Sequence, residues 1–357
     1  MIEVGNNIIM PEASGFGFCE GVVAADDLLK DVTSCAQALG LGAVYGYHDI
    51  VHNESVKQEH KERGVIFVQD AGDIPPDSVV VGSAHASSPA AKHSVVSTGG
   101  LFYDGGCPLV LKTHNAVSRA RERREKVLFL LSGKPNEVAK IHDEISGTVG
   151  HIDQYIDRSG NLINDPLSRA YIELMDDPSN VESILSEYAR YTIIGQTTLL
   201  ASEVIEFRKQ MAAAILAAQP HATISRIDRR DVCFAVENRQ EAVRVSLSRK
   251  PDNFVVVTDP NSKNGMGYVQ LAKSTVAEAG LDTQVIAVSS AENITALGGL
   301  TAVTASASTP DYDTAAVVEA LGGNPMLVAV DRESFKLRGA SPVQIEVAMH
   351  AWVQGKK

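Results

Sequence analysis

The cysteines are the residues of this sequence with the clearest capacity for metal chemistry, and they stand at Cys19, Cys35, Cys107 and Cys233. Thiolates suit iron–sulfur clusters, which are usually held by about four of them. No Cys-x-x-Cys pair brings two of these residues together, so their spacing alone is typical of unrelated thiols. Four cysteines in 357 residues are also too few for a disulfide scaffold.

Three of the cysteines share a local setting. Cys19 and Cys233 directly precede helical patterns, and Cys107 lies in a loop before another helical pattern. They are separated by about the length of a small α/β unit, so three such units would each present one thiolate to a shared centre. Cys35 falls inside the first helical pattern, away from any loop, and is predicted to be a packing residue.

The elements around these cysteines follow the pattern of an α/β protein. Short apolar, β-branched runs alternate with helical patterns, which favours parallel sheets covered on both faces. Such folds place their chemistry in loops at the carboxyl ends of the strands. The predicted strands include 79–82, 127–133, 191–195, 254–257 and 283–288, and the predicted helices are 20–38, 115–125, 201–218, 267–279 and 313–321.

Composition and patterning exclude several classes of function. The net charge of −12 argues against a nucleic-acid partner bound through its phosphates. No apolar run reaches the roughly 18 residues of a membrane span, and the N-terminus lacks signal-peptide features, so a cytoplasmic protein without a membrane partner is expected. The absence of a Gly-x-Gly-x-x-Gly turn near the start excludes a Rossmann-type dehydrogenase. The charged run 119–126 is predicted to be an exposed helix face.

Seven short segments, taken together and in order, carry a resemblance to a known family. The sequence resembles the 4-hydroxy-3-methylbut-2-enyl diphosphate reductase (IspH/LytB) family, whose signature segments occur in the same order over nearly the whole chain. Any one of the segments would be weak support by itself. They lie at 17–22, 50–53, 83–85, 104–110, 196–199, 231–235 and 305–310.

The resemblance implies a fold and a cofactor. The family fold consists of three similar small α/β domains with mostly parallel sheets arranged around a central iron–sulfur cluster. The domains expected here are 15–107, 108–229 and 230–345. Cys19, Cys107 and Cys233 would be the ligands of a [4Fe–4S] cluster in which one iron lacks a protein ligand, an open position that suits catalysis.

The resemblance also implies residues that bind the substrate, an allylic alcohol that carries a diphosphate. Such a charged group must be met by several donors. The matching positions are His52, His85, His142, Thr197, Ser262, Asn264 and Ser308, with Lys263 standing where the family has serine. The ammonium of Lys263 either adds a charge beside the diphosphate or points to solvent.

The acid–base residues depend on the choice of register. Aligned without gaps, segment 141–150 places His142 and Glu144 at the two catalytic positions, with Thr197 as the active-site threonine. An alternative register seven residues earlier uses Lys134 and Glu137 instead. A third interpretation makes His142 and Glu144 part of an exposed, charged helix.

The activity implied by the resemblance is reductive removal of the allylic hydroxyl of 4-hydroxy-3-methylbut-2-enyl diphosphate in non-mevalonate isoprenoid synthesis. The products are isopentenyl and dimethylallyl diphosphate. Electrons would arrive singly from a donor protein such as flavodoxin or ferredoxin, and Glu144 would supply protons with Thr197 and His142.

Several neighbours of the motif residues depart from the family pattern. These departures leave two alternatives open: a divergent paralogue that performs reductive dehydroxylation or dehydration on another anionic substrate, and a non-catalytic iron–sulfur sensor. Retention of Glu144 and Thr197 argues against a sensor, which needs only the cysteines. The departures are Ala24 for arginine, Ala86 for glycine, Gly105-Gly106 for alanine-threonine, Val236 for threonine and 265–267 for Ser/Asn/Arg residues.

Overall fold

The structure is a computed structural model that describes residues 1–12, 15–87, 89–130, 172–175, 189–195, 197, 199, 201–225, 233–329 and 339–356. The strands are β1 Ile2–Gly5, β2 Ile8–Met10, β3 Val44–Tyr47, β4 Val65–Val68, β5 Val79–Gly82, β6 Leu101–Tyr103, β7 Lys126–Leu130, β8 Ile172–Met175, β9 Arg190–Gly195, β10 Thr223–Ser225, β11 Asn253–Val257, β12 Gln284–Val288 and β13 Thr301–Ala305. The α-helices are α1 Glu20–Ala38, α2 Glu54–Glu62, α3 Pro89–Ser97, α4 Pro108–Glu122, α5 Ala201–Ala218, α6 Phe234–Leu247, α7 Lys263–Ala279, α8 Asp311–Ala320 and α9 Pro342–Gly355.

The described strands form three sheets. The first has the order β4-β3-β5-β6, the second β8-β7-β9-β10, and the third β12-β11-β13-β2-β1. All pairings are parallel except the hairpin between β1 and β2, where Ile2 lies opposite Met10. The predicted architecture of three mostly parallel α/β sheets is therefore confirmed.

The three sheets repeat one strand order. Numbered by their sequence within each sheet, the strands of the first and second sheets run 2-1-3-4. The third sheet begins with the same 2-1-3 arrangement, and its fourth position is taken by β2 from the N-terminus, which pairs in parallel with β13. Each sheet therefore changes winding direction between its first and third strands, where α/β folds place their ligands.

The apolar strands form because both of their faces are covered. All five residues of β7, β11 and β13 are buried, which is typical of central parallel strands. In the third sheet Val255, Val257 and Val303 pack with Met10 and Phe16 in one apolar cluster. Within the described ranges, no helix combines the length and apolar character that crossing a bilayer requires.

The chain divides into two compact units. The first comprises Met1–Lys30, Val51–Gly64 and Phe234–Ser341 and contains the third sheet. The second comprises Asp31–Ile50, Val65–Cys233 and Pro342–Lys357 and contains the first two sheets. In the second unit, the Tyr103 hydroxyl donates a 3.1 Å hydrogen bond to the Ile345 carbonyl of helix α9. The domain boundaries at residues 107 and 229 stay a prediction.

A buried carboxylate fastens the second sheet at the amino end of β7. Glu125 is 1% exposed and is held by Arg123 at 2.7 and 2.9 Å, by the Ser225 hydroxyl at 3.0 Å and by the Thr192 hydroxyl. Burial alone would raise the pKa of this carboxyl, but the hydrogen bonds from Arg123, Thr192 and Ser225 outweigh it and lower the pKa to about 2.

We expect Glu125 to contribute a pH-dependent part of the stability. A carboxyl whose pKa is lowered by folding stabilises the fold above its unfolded pKa near 4.5, and this contribution is lost as the pH falls toward 2. Glu125→Gln should lower the free energy of unfolding by up to about 3 kcal/mol at pH 7 and by much less near pH 2. Denaturant unfolding of both proteins across this range measures the difference, and an equal loss at both pH values would contradict it.

Candidate functional site

In the third sheet, two of the predicted diphosphate-binding serines flank the point where the winding reverses. Ser262 follows β11 and Ser308 follows β13, the first and third strands of that sheet. Their hydroxyl oxygens lie 3.2 Å apart, and Ser308 lies 3.0 Å from the Ser306 hydroxyl. Sequence reasoning therefore selected two residues that the fold brings into contact.

Helix α7 starts at this same place. Ser262 is its N-cap and accepts a 3.2 Å hydrogen bond from the Gly265 N–H. The helix N-terminus carries a partial positive charge that favours anions. A Cβ on Gly265 would lie 1.8 Å from the Thr258 hydroxyl oxygen, so only glycine lets the helix start this close to β11.

Asn264 is oriented by the loop that follows β13. Its side-chain oxygen accepts a 3.3 Å hydrogen bond from the Ala307 N–H. An amide whose oxygen is engaged in this way presents its NH₂ group to other acceptors, and phosphate oxygens are of that kind. Lys263 is the first residue of α7, and the direction of its side chain stays a prediction.

In the first sheet, the two predicted histidines follow the corresponding strands. His52 comes after β3 and His85 after β5, the first and third strands of that sheet. Within the second unit, the Ala84 N–H, directly before His85, donates to the Ile50 carbonyl at 3.2 Å. Both side chains are partly exposed.

The second sheet repeats the arrangement as far as it is described. Thr197 follows β9, the third strand, and is 4% exposed. His142 and Glu144 belong by sequence to the segment after β7, the first strand, but they lie outside the described residues. Their roles and the choice of register stay predictions.

The three predicted ligand cysteines share one backbone environment. Cys107 and Cys233 follow the fourth strands of their sheets, and Cys19 follows β2, which holds the fourth position in the third sheet. Each is directly followed by a helix, as the sequence indicated: α4, α6 and α1.

Their N–H groups also make equivalent hydrogen bonds. Each donates to a carbonyl in the loop after the third strand of its own sheet: Cys107 to Ala84 at 2.9 Å, Cys233 to Thr197 at 3.5 Å and Cys19 to Ala307 at 3.4 Å. These acceptors are Thr197 itself and the residues directly before His85 and Ser308. In every sheet, one cysteine N–H is thus hydrogen-bonded to the loop that contains a predicted substrate-binding residue.

Cys35 has a different environment. It lies inside α1, sixteen residues after Cys19, which corresponds to about 24 Å along a helix axis. Burial and the nearby Glu346 carboxylate raise the pKa of the Cys35 thiol, which disfavours the thiolate that metals bind. None of the four cysteines forms a disulfide.

Two departures from the family pattern, Ala86 and Gly106, pack against each other beside Cys107. Ala86 has the left-handed φ of 67° that favours glycine. A Cβ at Gly106 would lie 2.6 Å from the Ala86 Cβ, so the side-chain atom present at one position excludes a side chain at the other. Gly105 is equally constrained, because its Cβ would lie 2.1 Å from the Gly82 carbonyl oxygen.

A carboxylate that the sequence analysis did not select connects two parts of the site within the first unit. Asp313, in the first turn of α8, accepts hydrogen bonds from the Ser55 hydroxyl at 2.6 Å and from the Asn53 amide at 3.3 Å. Asn53 directly follows His52 and caps α2 through the Val56 N–H at 3.1 Å. Burial raises the pKa of Asp313, and the two hydrogen bonds oppose that rise. An acidic residue in a first helical turn is too common a feature to have indicated this role.

Asp313 is expected to position His52 relative to Ser308. Asp313→Ala removes both acceptor contacts, which should cost about 1–3 kcal/mol of stability and raise KM for a diphosphate substrate by about tenfold with a smaller change in kcat. Steady-state kinetics provide the measurement, with Asp311→Ala in the same helix turn as the control. A kcat loss larger than the KM rise would contradict this positioning role.

The comparisons with known proteins agree with this geometry. A family model described as LytB protein matches residues 10–322. The chain belongs to the LytB family. The match includes all three cysteines that share the repeated environment, and it ends before α9.

Two curated relatives carry the same name. The chain is 32% identical over 308 residues to the 4-hydroxy-3-methylbut-2-enyl diphosphate reductase of Shewanella oneidensis, covering 85% of this chain and 86% of the relative. It is 32% identical over 324 residues to the reductase of that name from Marinobacter nauticus, covering 89% and 92% respectively.

Two solved structures share the fold. The E-1-hydroxy-2-methyl-but-2-enyl-4-diphosphate reductase of Plasmodium falciparum aligns with a TM-score of 0.69 at 20% identity, covering 98% of this chain and 99% of that one. A second structure, of (E)-4-hydroxy-3-methyl-but-2-enyl diphosphate reductase, aligns with a TM-score of 0.59 at 24% identity, covering 88% and 98%. At these identities the structures support the fold, and the sequence relatives support the family.

Proposed function

We propose that this protein is a reductase that removes the allylic hydroxyl of 4-hydroxy-3-methylbut-2-enyl diphosphate and forms isopentenyl and dimethylallyl diphosphate. The observation that carries the proposal is the threefold repeat in which each cysteine N–H binds the loop of a predicted substrate residue. The curated relatives in the LytB family bear the name of this activity. With two electrons and two protons, the reaction releases the hydroxyl as water and leaves a C–H bond.

The cofactor we propose is a [4Fe–4S] cluster held by Cys19, Cys107 and Cys233. The donor set fits, because none of the three cysteines forms a disulfide and each stands at a helix N-terminus, where negative charge is favoured. When bound, such a cluster supplies single electrons and an iron without a protein ligand, which acts as a Lewis acid toward the substrate oxygen. A one-electron donor protein, such as a flavodoxin or ferredoxin, would deliver the electrons.

The diphosphate would be held by hydroxyl, amide and imidazole donors. Ser262 and Ser308 are in mutual contact, and Asn264 has its oxygen engaged by the Ala307 N–H. Ser262 and Asn264 stand at the N-terminus of α7, which adds a favourable field for an anion. His52 and His85 would complete the binding set, and Lys263 would add a charge if its ammonium faces the site.

Protons would come from the chain. We propose Glu144 as the donor, working with His142 and with the buried Thr197 hydroxyl, whose segment is fastened to Cys233. A carboxyl beside a buried diphosphate is expected to hold its proton more tightly, which suits donation first to the departing oxygen and then to carbon.

A different substrate is not needed to explain the family departures next to Cys107. The glycine at position 106 makes room for the side chain of the left-handed Ala86, so packing within this chain accounts for both departures. Gly265 is required by the distance between α7 and Thr258. These departures affect how closely neighbouring backbone segments approach each other. They do not replace any of the proposed diphosphate donors.

An anaerobic titration tests the cofactor and the substrate class together. Iron and inorganic sulfide should each reach about four per chain, the number for a [4Fe–4S] cluster. Adding the allylic diphosphate should change the visible spectrum, and isopentenyl diphosphate, which lacks the hydroxyl, should change it less. A cluster whose spectrum responds to no allylic diphosphate would contradict the proposed substrate. A protein that cannot be loaded with iron would contradict the proposed cofactor.

A further inference from the structure

Helix α6 contains a buried cation whose hydrogen bonds all go to neutral groups. Arg239 is 3% exposed and donates to the carbonyls of Ala235 at 2.9 Å, Phe16 at 3.3 Å and Gly17 at 2.6 Å. Its Nε is buried and has no hydrogen-bond partner among the described residues. No carboxylate of the described part of the chain forms an ion pair with it.

A buried charge of this kind is costly unless another charge compensates it. Removing an ion from water costs several kcal/mol even after relaxation, and carbonyl dipoles replace only part of the lost hydration. Two other buried ionic groups are paired: Asp26 with Lys30 at 2.9 Å and Glu125 with Arg123 at 2.7 Å. Within the described ranges, the charge of Arg239 has no carboxylate to compensate it.

The place of Arg239 in the chain indicates where that negative charge belongs. Phe16 and Gly17, whose carbonyls it binds, lead directly into Cys19, and α6 begins directly after Cys233. The Arg239 guanidinium is thus hydrogen-bonded to the segment before Cys19 and to the helix that follows Cys233. Cys19 and Cys233 are two of the three proposed thiolate ligands. Three thiolates and the sulfides of a cluster carry a net negative charge that becomes larger when the cluster accepts an electron.

We propose that Arg239 supplies the buried positive charge that favours the reduced cluster and so raises its reduction potential. The inference rests on the proposed function, since it requires the cluster to be bound by Cys19, Cys107 and Cys233. A charge in a low-dielectric surrounding acts over several ångströms with little screening. Arg239 would therefore influence the potential without contacting iron or substrate.

The test compares reduction potentials in three variants of the reconstituted full-length protein. Arg239→Gln removes the charge, Arg239→Lys keeps it, and Arg244→Gln removes an exposed charge from the same helix as a matched control. Potentials are measured by anaerobic spectroscopic titration without substrate, and thermal unfolding is recorded for each protein. At a fixed poise, Arg239→Gln should lower the ratio of reduced to oxidised cluster at least tenfold, which is 59 mV for a one-electron couple.

The other two variants should stay within about threefold of the wild-type ratio, because each keeps the buried charge. An unchanged ratio in Arg239→Gln would overturn the inference, as would a tenfold shift in Arg239→Lys. If Arg239→Gln does not fold, Arg239→Lys is used instead, and a tenfold shift in its ratio of reduced to oxidised cluster would overturn the inference. Failure of the proposed function is distinguishable: without the proposed cofactor the wild-type protein would contain no iron and sulfide, and without the proposed reaction it would contain both and leave the allylic diphosphate unchanged.

Discussion

Replacing Cys233 by serine is expected to remove the iron–sulfur cluster and to lower reductase activity by more than about 100-fold. Losing a direct ligand should exceed the 10–100-fold effects that are typical of residues supporting a metal site. The same result is expected for Cys19 and Cys107, because all three N–H groups bind equivalent loops at 2.9–3.5 Å. Iron and sulfide content after anaerobic reconstitution provides the measurement.

Cys35→Ser is the matched control for this series. The thiol lies about 24 Å along α1 from Cys19, and its pKa is raised, so neither its position nor its charge state suits a ligand. We expect this variant to retain full iron content, with a stability change within about 1 kcal/mol. A Cys35→Ser protein that cannot be reconstituted would show that the ligand set is wrong.

Glu144→Gln is expected to keep the cluster and substrate binding while lowering kcat by about 10²–10⁴-fold, the usual contribution of a general acid. The change removes a proton donor and leaves the size of the side chain nearly unchanged, so KM should change little. Steady-state kinetics with an excess of chemical reductant provide the measurement.

The register that selects Glu144 is tested by a parallel pair of variants. Glu137→Gln and Lys134→Met alter the residues that the alternative alignment would use. Both should retain near wild-type kcat. If activity is lost with either of these and kept with Glu144→Gln, the proton donor lies in the earlier segment.

Several strand cores and two of the predicted helices were predictable from the sequence, because apolar runs and helical periodicity are local patterns. The strand predicted at 79–82 and the helices predicted at 20–38 and 201–218 coincide with β5, α1 and α5. Helix α4 starts at Pro108, seven residues before the predicted start, because proline is well suited to the first helical position and Cys107 precedes it directly.

Structural features that depend on contacts between residues remote in sequence were not predictable. The placement of β2 at the fourth position of the third sheet requires pairing of Ile8 with Thr301, which are separated by most of the length of the chain. Glu125 lies in a charged run that was predicted to be an exposed helix face, and this part of the prediction was wrong, since Glu125 and Lys126 are buried at the start of β7. Partners at Thr192 and Ser225 explain the burial of Glu125, and they are remote in sequence.

The same limit applies to the candidate site. Motif resemblance selected Ser262 and Ser308, whose contact at 3.2 Å the structure then supplied. Asp313 and Arg239 carry no local signal, because their roles arise from hydrogen bonds to Ser55, Asn53, Phe16 and Gly17. Residues that position a site are defined by what they reach in space, which a single sequence does not record.

Anaerobic turnover of 4-hydroxy-3-methylbut-2-enyl diphosphate by the cluster-loaded protein tests the central claim most directly. With a one-electron chemical reductant, we expect one molecule of water and one of isopentenyl or dimethylallyl diphosphate to form for every two electrons consumed. Omission of the reductant should stop the reaction. A protein that contains a full complement of iron and sulfide, accepts electrons and still leaves this diphosphate unchanged would contradict the proposed function.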